Sequence, residues 1–353
     1  MTRRRSSHSR PTVTLATVAE AVGVSRMTVS NAYNRPDQLS PELRERVFAV
    51  AEELGYSGPN PVARTLSRGE TGSIGLVLDY PLTTAFSDGA TVAFLHGVAA
   101  GAEARGLGLS LVPRIEGRHA ALVQSALVDG FVLYCVPEDD PRMDAVRARG
   151  LPFVGVDFDP ARDLARVNID DRGAARAAAR HLAALGHRRF GVVLPYATYG
   201  PTGADAEARA THHVERERLA GWREGLEAAG VDWSTVPVAS SSGTGVETGR
   251  LAAAELLDRA ARPTAVIALS DALAMGVVES ARERGISVPH QLSVTGFDDI
   301  PEAALSDPPL TTIRQPHHLK GSEAVRLLLE GDAAQSVVLP TELVVRASTS
   351  PAP

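Results

Sequence analysis

The sequence predicts a small all-α head, joined by a short linker to a larger α/β core of two lobes. Three observations carry that expectation. Apolar residues at helical spacing, punctuated by glycines, fill residues 14–55. From Gly72 onward the pattern changes to short apolar runs bounded by turn residues, alternating with helical stretches. Charge is split in the same way: residues 1–70 hold 10 Arg against 7 Asp and Glu, a net of +3, whereas the whole chain stands at −6. A basic head on an acidic body suggests a domain that meets a polyanion.

Each element of the head follows from local chemistry. In TLATVAEAVG, Leu15, Val18, Ala19 and Val22 line one face of a short helix, and Gly23 ends it. Ser25 can cap a second helix whose Val29 and Ala32 face the first. Ser40 caps a third with Pro41 in its first position; Leu43, Val47, Val50 and Leu54 form its stripe, and Gly55 stops it. The second helix has an odd composition for a core element. VSRMTVSNAYN, Val24 to Asn34, holds two serines, a threonine and two asparagines. Its outward face is Arg26, Met27, Thr28, Ser30 and Asn31. Such side chains suit the major groove of DNA, where each base pair offers a distinct donor and acceptor pattern and Asn can pair with adenine in a bidentate way. A generic helical hairpin is the plainer reading; the glycine turn and the polar second helix favour a helix-turn-helix.

The linker SGPNPVARTLSRGETGS has its own helix signal, with Asn60 as cap, Pro61 as start and VARTLSR giving two turns before Gly69. A helix that short is marginal alone and needs a partner or ligand to form.

In the core, the runs SIGLVLDYP, LGLSLVP, DGFVLYCVP, LPFVGVDFDP, RRFGVVLP, TAVIALSD and LSVTGFDD alternate with helical stretches. This is the signature of parallel sheets covered by helices. There are more such units than one doubly wound domain usually holds, so two lobes with a cleft between them are expected. Ligands of such sheets sit beyond the carboxyl ends of the strands, which makes Asp79, Tyr80, Asp157, Phe158, Ser270, Asp271, Asp298 and Asp299 pocket candidates.

Composition excludes several classes. The chain has 353 residues, is 44% hydrophobic and carries one cysteine, Cys135, so no internal disulfide framework exists. Cys135 lies in the apolar run FVLYCV, where a buried inert thiol is the expected role. The basic start is not followed by an apolar stretch with a cleavage site, and no apolar run reaches the roughly 18 residues of a membrane span. A cytoplasmic protein is expected. Lys320 is the only lysine, which reads as a compositional bias shared with the high Ala, Gly and Pro content.

TLATVAEAVGVSRMTVSNAYN, followed by SPELRERVFAVAEELGYSGPNPVARTLSRG, resembles the headpiece of the lactose-repressor (LacI/GalR) family of bacterial transcription regulators. DGFVLY, DDRGAARAAARHLAALGHRRFGVV, RLAGWREGLEAAG, PTAVIALSDALAMG, GISVPHQLSVTGFDD and PPLTTIRQP resemble the family's effector-binding core, so the resemblance covers nearly the whole chain. That core is similar to periplasmic sugar-binding proteins, two lobes joined by three crossovers. The resemblance implies a flexible basic tail at 1–12, a helix-turn-helix headpiece at 13–57, a hinge helix and linker at 58–71 and the core at 72–353. Within the core it implies a first lobe of about 72–170 plus 315–331 and a second of about 171–314 plus 332–348.

Roles follow residue by residue. Arg26, Met27 and Asn31 match positions that read base edges, and Thr28 and Ser30 match phosphate contacts; Thr14, Ser25 and Asn34 belong to the same DNA face. Many relatives have Arg where Asn31 stands, so the operator sequence is expected to differ at that position. In the hinge, Leu66 matches a leucine wedge that two subunits insert into the operator's minor groove, with Asn60, Ala63 and Arg64 beside it. The plainer role for Leu66 is packing under the headpiece. In the core, Arg218 before LAGW matches an effector-binding arginine, and Asp298 in GFDD a carboxylate on the opposite wall, a pair suited to a polyhydroxyl or polar heterocyclic ligand. Tyr80, Asp157, Phe158, Ser270 and Phe297 are further pocket candidates, with strand-end caps or core residues as the alternative; Asp271 is expected to cap a helix and face the cleft.

The function implied is a homodimeric regulator, a repressor by family habit, that binds a palindromic double-stranded DNA operator and answers to a sugar, nucleoside or related metabolite. No cofactor, metal or catalytic role is expected. The end, RASTSPAP, has no heptad segment, so a dimer is expected in place of a tetramer.

Two departures stand out. Between VVLP and RLAGW lie 22 residues, Tyr196 to Glu217, where relatives have about ten; a lid and a surface loop are both open readings, and the loop is preferred. The first strand ends in DYPLTTAFSDG, so the pocket floor is expected to be unusual. Rival classes are weaker. GTGVETG, Gly243 to Gly249, superficially resembles a dinucleotide loop but is not at the first βα turn and lacks the following acidic residue. The pairs His212-His213 and His317-His318 lack further metal ligands and are expected on the surface. A transport binding protein would lack the headpiece.

Overall fold

The computed structural model describes residues 13–58, 70–137, 139–159, 164–196, 200–331 and 335–353. The chain forms two compact units that divide between Thr71 and Gly72. The basic tail at 1–12 and the hinge residues Asn60, Ala63, Arg64 and Leu66 lie outside the described residues.

The first unit holds α1 (Leu15–Val22), α2 (Arg26–Asn34), a 3-10 turn at Pro36–Gln38 and α3 (Pro41–Glu53). Each helix begins on a hydroxyl that accepts one of the backbone N–H groups a helix start leaves unpaired. Thr14 and Thr17 bond each other's backbone reciprocally, Ser25 Oγ accepts from Thr28 N at 3.0 Å, and Ser40 Oγ accepts from Leu43 N at 3.3 Å. Gly23, at φ +76°, turns the chain between α1 and α2 in a conformation that a side chain would disfavour. Val18, Ala19, Val22, Val29, Ala32, Val47 and Ala51 are buried together. These are small side chains, and Tyr33 extends the core edge-on against Phe48 and Tyr56, with ring centres 5.0 and 6.0 Å away. Leu54, expected on the α3 stripe, is exposed because the helix ends at Glu53 and Leu54 is its C-cap; Ala51 fills the buried position.

The second unit begins with β1 (Ser73–Leu78), α4 (Leu82–Ala85), α5 (Gly89–Glu103), β2 (Gly108–Val112), α6 (His119–Ser125), β3 (Phe131–Tyr134), α7 (Pro141–Ala148), β4 (Phe153–Val156) and β5 (Arg166–Ile169). It continues with α8 (Asp171–Ala184), β6 (Phe190–Pro195), α9 (Gly203–Arg209), α10 (His213–Glu227), β7 (Val238–Ser241), α11 (Val246–Leu257), β8 (Ala265–Ala268), α12 (Asp271–Glu283) and β9 (Ser293–Thr295). The last elements are α13 (Pro301–Leu305), β10 (Thr312–Arg314), α14 (His317–Glu330), β11 (Ser336–Leu339) and β12 (Glu342–Val344).

Two parallel sheets result, ordered β11-β5-β4-β3-β1-β2 and β7-β6-β8-β9, one per lobe; β10 and β12 pair antiparallel. Near-continuous apolar strands such as SIGLVL and FGVVLP suit sheets covered on both faces. The chain passes between the sheets after β5, between β10 and α14, and between β11 and β12, three crossings in all. One expected boundary moves. Residues 332–348 do not all belong to the second lobe, because β11 pairs with β5 in the first sheet, Ser336 opposite Arg166, and the return crossing falls at 340–341.

Helix pairs meet through glycines. A Cβ on Gly97 of α5 would lie 1.9 Å from the His318 carbonyl of α14, and one on Gly221 of α10 would lie 2.2 Å from the Arg172 carbonyl of α8. These backbones approach so closely that no larger residue fits. Among the described residues no helix is long and apolar enough to cross a membrane.

Candidate nucleic-acid interface and ligand cleft

In the first unit the polar face of α2 is ordered from within. Ser25 caps the helix and its hydroxyl lies 2.9 Å from that of Thr28; Asn34 Nδ2 donates to Ser30 Oγ at 3.3 Å. Asn31 Nδ2 donates to Gln38 Oε1 at 3.2 Å, so the 3-10 turn after the helix steadies the amide. Arg26 and Met27 are exposed, Met27 at 70%, and Arg26 has no polar partner among the described residues. Thr14 is occupied as the α1 cap. An exposed methionine and an open arginine in the first turn of α2, followed by amide and hydroxyl groups, form a surface complementary to base edges and phosphates. Gln38 is the member that sequence reading missed; it stands outside the helical period, and only the fold brings it to Asn31.

In the second unit Arg218, on α10, is 5% exposed and sits in a cage of acceptors. Its Nε donates to Asp171 Oδ1 at 2.9 Å, its Nη1 donates to the Leu269 carbonyl at 2.7 Å and lies 3.9 Å from Asp298 Oδ1. The guanidinium carbon is 3.5 Å from the centre of the Phe297 ring, a cation–π contact. Burial works against the charge, but Asp171 and Asp298 outweigh it and raise the Arg218 pKa. Burial pushes the Asp298 carboxyl well above its usual range, with Arg218 opposing. Asp298 Oδ1 also accepts from Gln315 Nε2 at 2.6 Å.

That arrangement corrects one expectation. Asp298 follows β9 and Arg218 lies on α10, so both belong to the second lobe and the pair does not span the cleft. One link that does cross runs through Gln315, between β10 and α14, and is backed by Lys320 of α14, which is 1% exposed. Its Nζ donates at 2.6 Å to Asp157 Oδ1 at the end of β4 and at 2.6 Å to Gln315 Oε1, which continues to Asp298. The chain's single lysine, read as compositional bias, is a buried strut.

Tyr80, Arg218 and Ser270 line a cavity of about 130 Å³ together with Thr84, Asp88, Pro195, Thr244, Leu269 and Leu273. The Tyr80 hydroxyl is 3.2 Å from that of Thr91, and Asp88 Oδ1 accepts from both Thr91 N and Thr91 Oγ1. Ser270 is the N-cap of α12. Tyr80, Thr84 and Thr244 also line an adjoining cavity of about 640 Å³, whose other walls include Asp79, Arg114, Tyr196, Arg209, Thr211, His212 and Glu215. The pair makes an inner chamber and a larger outer one.

Several candidates lie elsewhere. Phe158 is 1% exposed in the apolar cluster with Val77, Phe131 and Leu133, its backbone N–H and carbonyl clamped by the Asn168 side chain, and it lines neither chamber but a small cavity beside His212. Asp271 is fully buried and is not the N-cap of α12; it accepts from Thr312 Oγ1 at 2.5 Å and Ile300 N at 3.0 Å, tying α12 to β10 and the start of α13, and burial raises its carboxyl to about 7. Phe297 is buried beneath Arg218. Asp157 is buried under Lys320 and lines neither chamber. Burial pushes the Cys135 thiol up, as suits an inert side chain. His212 and His317, expected on the surface, are largely buried. Tyr196 to Glu217 is not simply a surface loop: its described part forms α9 and the start of α10 and walls the outer chamber.

Comparison with known proteins places this geometry. Residues 14–60 match the bacterial regulatory proteins of the lacI family, and residues 179–349 match the periplasmic binding protein-like domain. The chain is 41% identical over 366 residues to an HTH-type transcriptional regulator of Mycolicibacterium smegmatis, covering 99% of each. It superimposes on a lac repressor dimer bound to operator and an anti-inducer, with a TM-score of 0.75 at 28% identity, covering 96% of this chain and 99% of that one. It also superimposes on a complex of the regulator CelR with cellobiose, with a TM-score of 0.69 at 33% identity, covering 96% of this chain and 100% of that one. The headpiece helices, the two-sheet core and relatives matched along almost their full length together establish that this chain belongs to the LacI family of transcriptional regulators.

Proposed function

We propose that the protein is a ligand-controlled repressor that binds a palindromic operator as a homodimer and answers to a small polyhydroxyl metabolite. The observation that carries the reading is the polar face of α2, where Arg26, Met27, Thr28, Ser30 and Asn31 occupy a helix too polar to be a core element. In this reading Arg26, Met27 and Asn31 touch base edges, Thr28 and Ser30 hold phosphates, and Thr14, Ser25 and Asn34 support them. The hinge residues Asn60, Ala63, Arg64 and Leu66 contact the minor groove at the operator's centre. A two-fold protein matches a two-fold site.

The cleft supports the ligand half of the proposal. Tyr80, Asp88, Arg218, Ser270 and Thr244 surround the inner chamber with hydroxyl, carboxylate and guanidinium groups, a set that recognises adjacent hydroxyls. Similar proteins have been solved with cellobiose and with lac repressor ligands, which supports a sugar. A ligand that binds the closed and open core unequally changes DNA affinity, and DNA changes ligand affinity by the same factor.

A thermal-shift screen of the full chain over sugars and nucleosides, followed by operator titration with each hit, tests this. The expected result is a hit that raises the core's unfolding temperature and alters affinity for the DNA upstream of the protein's own reading frame. Hits that bind without changing DNA affinity contradict ligand control.

A further inference from the structure

Residues 200–217 are anchored to the second lobe and reach the first. Thr202 caps α9, accepting from Asp205 N at 3.3 Å, and Gly203 packs so tightly on Trp233 that a Cβ there would lie 2.5 Å from the indole. Glu207 of α9 accepts from Trp233 Nε1 at 3.1 Å and from Arg223 Nε at 3.0 Å. Beyond this anchor, Thr211 and His212 lead into α10, and His212 Nε2 lies 2.8 Å from Asp79 Oδ2 at the end of β1 in the first sheet. The other ring nitrogen lies 3.3 Å from Glu215 Oε2 and 3.3 Å from Thr211 Oγ1.

Asp79 is a rigid anchor on the far side. Arg142, fully buried, donates to its other oxygen, and to the Leu78 carbonyl at 2.5 Å, while also bonding Asp140. Arg114 approaches Asp79 Oδ2 at 3.5 Å. Only the doubly protonated imidazole can donate to Asp79 and to Glu215 at once. We propose that His212 is a clasp across the cleft, holding the two lobes together when protonated and making this segment the third wall of the ligand cavity. It is a positioning residue: it acts on the ligand through closure of the lobes. That role in ligand control rests on the proposed function, but the clasp itself rests on geometry alone.

The charged and titratable groups around His212 are Asp79, Arg114, Glu116, Cys135, Arg142, Asp157 and Asp159 from the first lobe and Tyr196, Arg209, His213, Glu215 and Arg216 from the second. Burial opposes protonation, yet Asp79 and Glu215 outweigh it and raise the His212 pKa to about 9. A histidine pKa raised on folding stabilises the structure fully below its ordinary value near 6.5, and that stabilisation is lost as pH rises through about 9.

The test uses the full chain without ligand or DNA, so failure of the effector screen leaves it intact. NMR titration of the histidine side chains is expected to show one imidazole titrating near pH 9, absent in His212→Gln and shifted toward the ordinary range in Asp79→Asn. Spin labels at Ala121→Cys in α6 and Ala228→Cys after α10, in a Cys135→Ser background, report the distance between lobes. That distance should lengthen between about pH 7 and pH 10 in the parent and be long at both in His212→Gln. Circular dichroism verifies that each variant is folded. Titration of His212 in the ordinary range, or a lobe distance indifferent to both pH and the substitution, overturns the proposal.

Discussion

Along α2, polar side chains stand at the surface and are held by bonds to near neighbours: Ser25 to Thr28, Ser30 to Asn34, Asn31 to Gln38. Around the cleft, Arg218, Asp171, Asp298, Lys320 and Asp157 are buried and paired to one another over 47 to 163 residues of sequence. The first arrangement leaves donors and acceptors in water, so exchanging water for a base edge or phosphate requires little rearrangement. The second removes charges from water, which is tolerable only while every partner stays in place. A ligand that bonds Arg218 or shifts Asp298 therefore disturbs a network joining both lobes. The difference suits one surface to direct recognition and the other to a change of state.

Substitutions can break this contrast, and the largest effect belongs to the cleft. Arg218→Ala leaves Asp171 and Asp298 buried without their countercharge and should cost about 3–5 kcal/mol of core stability in urea unfolding. A loss below about 1 kcal/mol would show that water already solvates this network. Next is His212→Gln, expected to cost on the order of 2 kcal/mol near pH 6 and almost nothing above about pH 9.5. The sign follows from a folded pKa above the unfolded one; a difference that grew with pH would refute it.

On the headpiece side the effects shrink. Ser25→Ala removes the cap of α2 and should lower headpiece stability by about 1 kcal/mol, read as a lower unfolding temperature by circular dichroism. Asn31→Ala, on the partly exposed face, should change stability by no more than about 0.5 kcal/mol. Equal and large losses for these two and for Arg218→Ala would erase the contrast between the surfaces.

What was legible in the sequence follows the same division. Thr14 as a cap was not read, but Ser25, Ser40, Pro41 and Gly23 were, because capping and turns depend on residues within one helical turn. The strands and the alternation of helices followed from short-range apolar pattern. Arg218 and Asp298 were found through motifs, yet assigned to opposite walls, because the wall on which a strand end lies is a property of sheet order. Phe158 stands at a strand end like a pocket residue, but its backbone is clamped by Asn168, ten residues away, and its ring is buried in an apolar cluster. His212 read as one of two surface histidines since its partner Asp79 lies 133 residues earlier. Lys320 gave no local signal at all; its meaning comes from two acceptors that meet it only in the folded core.

The claim that α2 reads DNA sequence is tested most directly by fluorescence-anisotropy titration of the parent and Asn31→Ala on two duplexes at several salt concentrations. One duplex is the DNA upstream of the protein's own reading frame, and the other is a scramble of it. The parent should bind the first more tightly, and log affinity should fall with log salt as phosphate contacts release counterions. Asn31→Ala should lose about 1–3 kcal/mol on the first duplex while keeping its affinity for the scramble and the same salt slope. Equal losses on both duplexes, or no salt dependence for either protein, would contradict it.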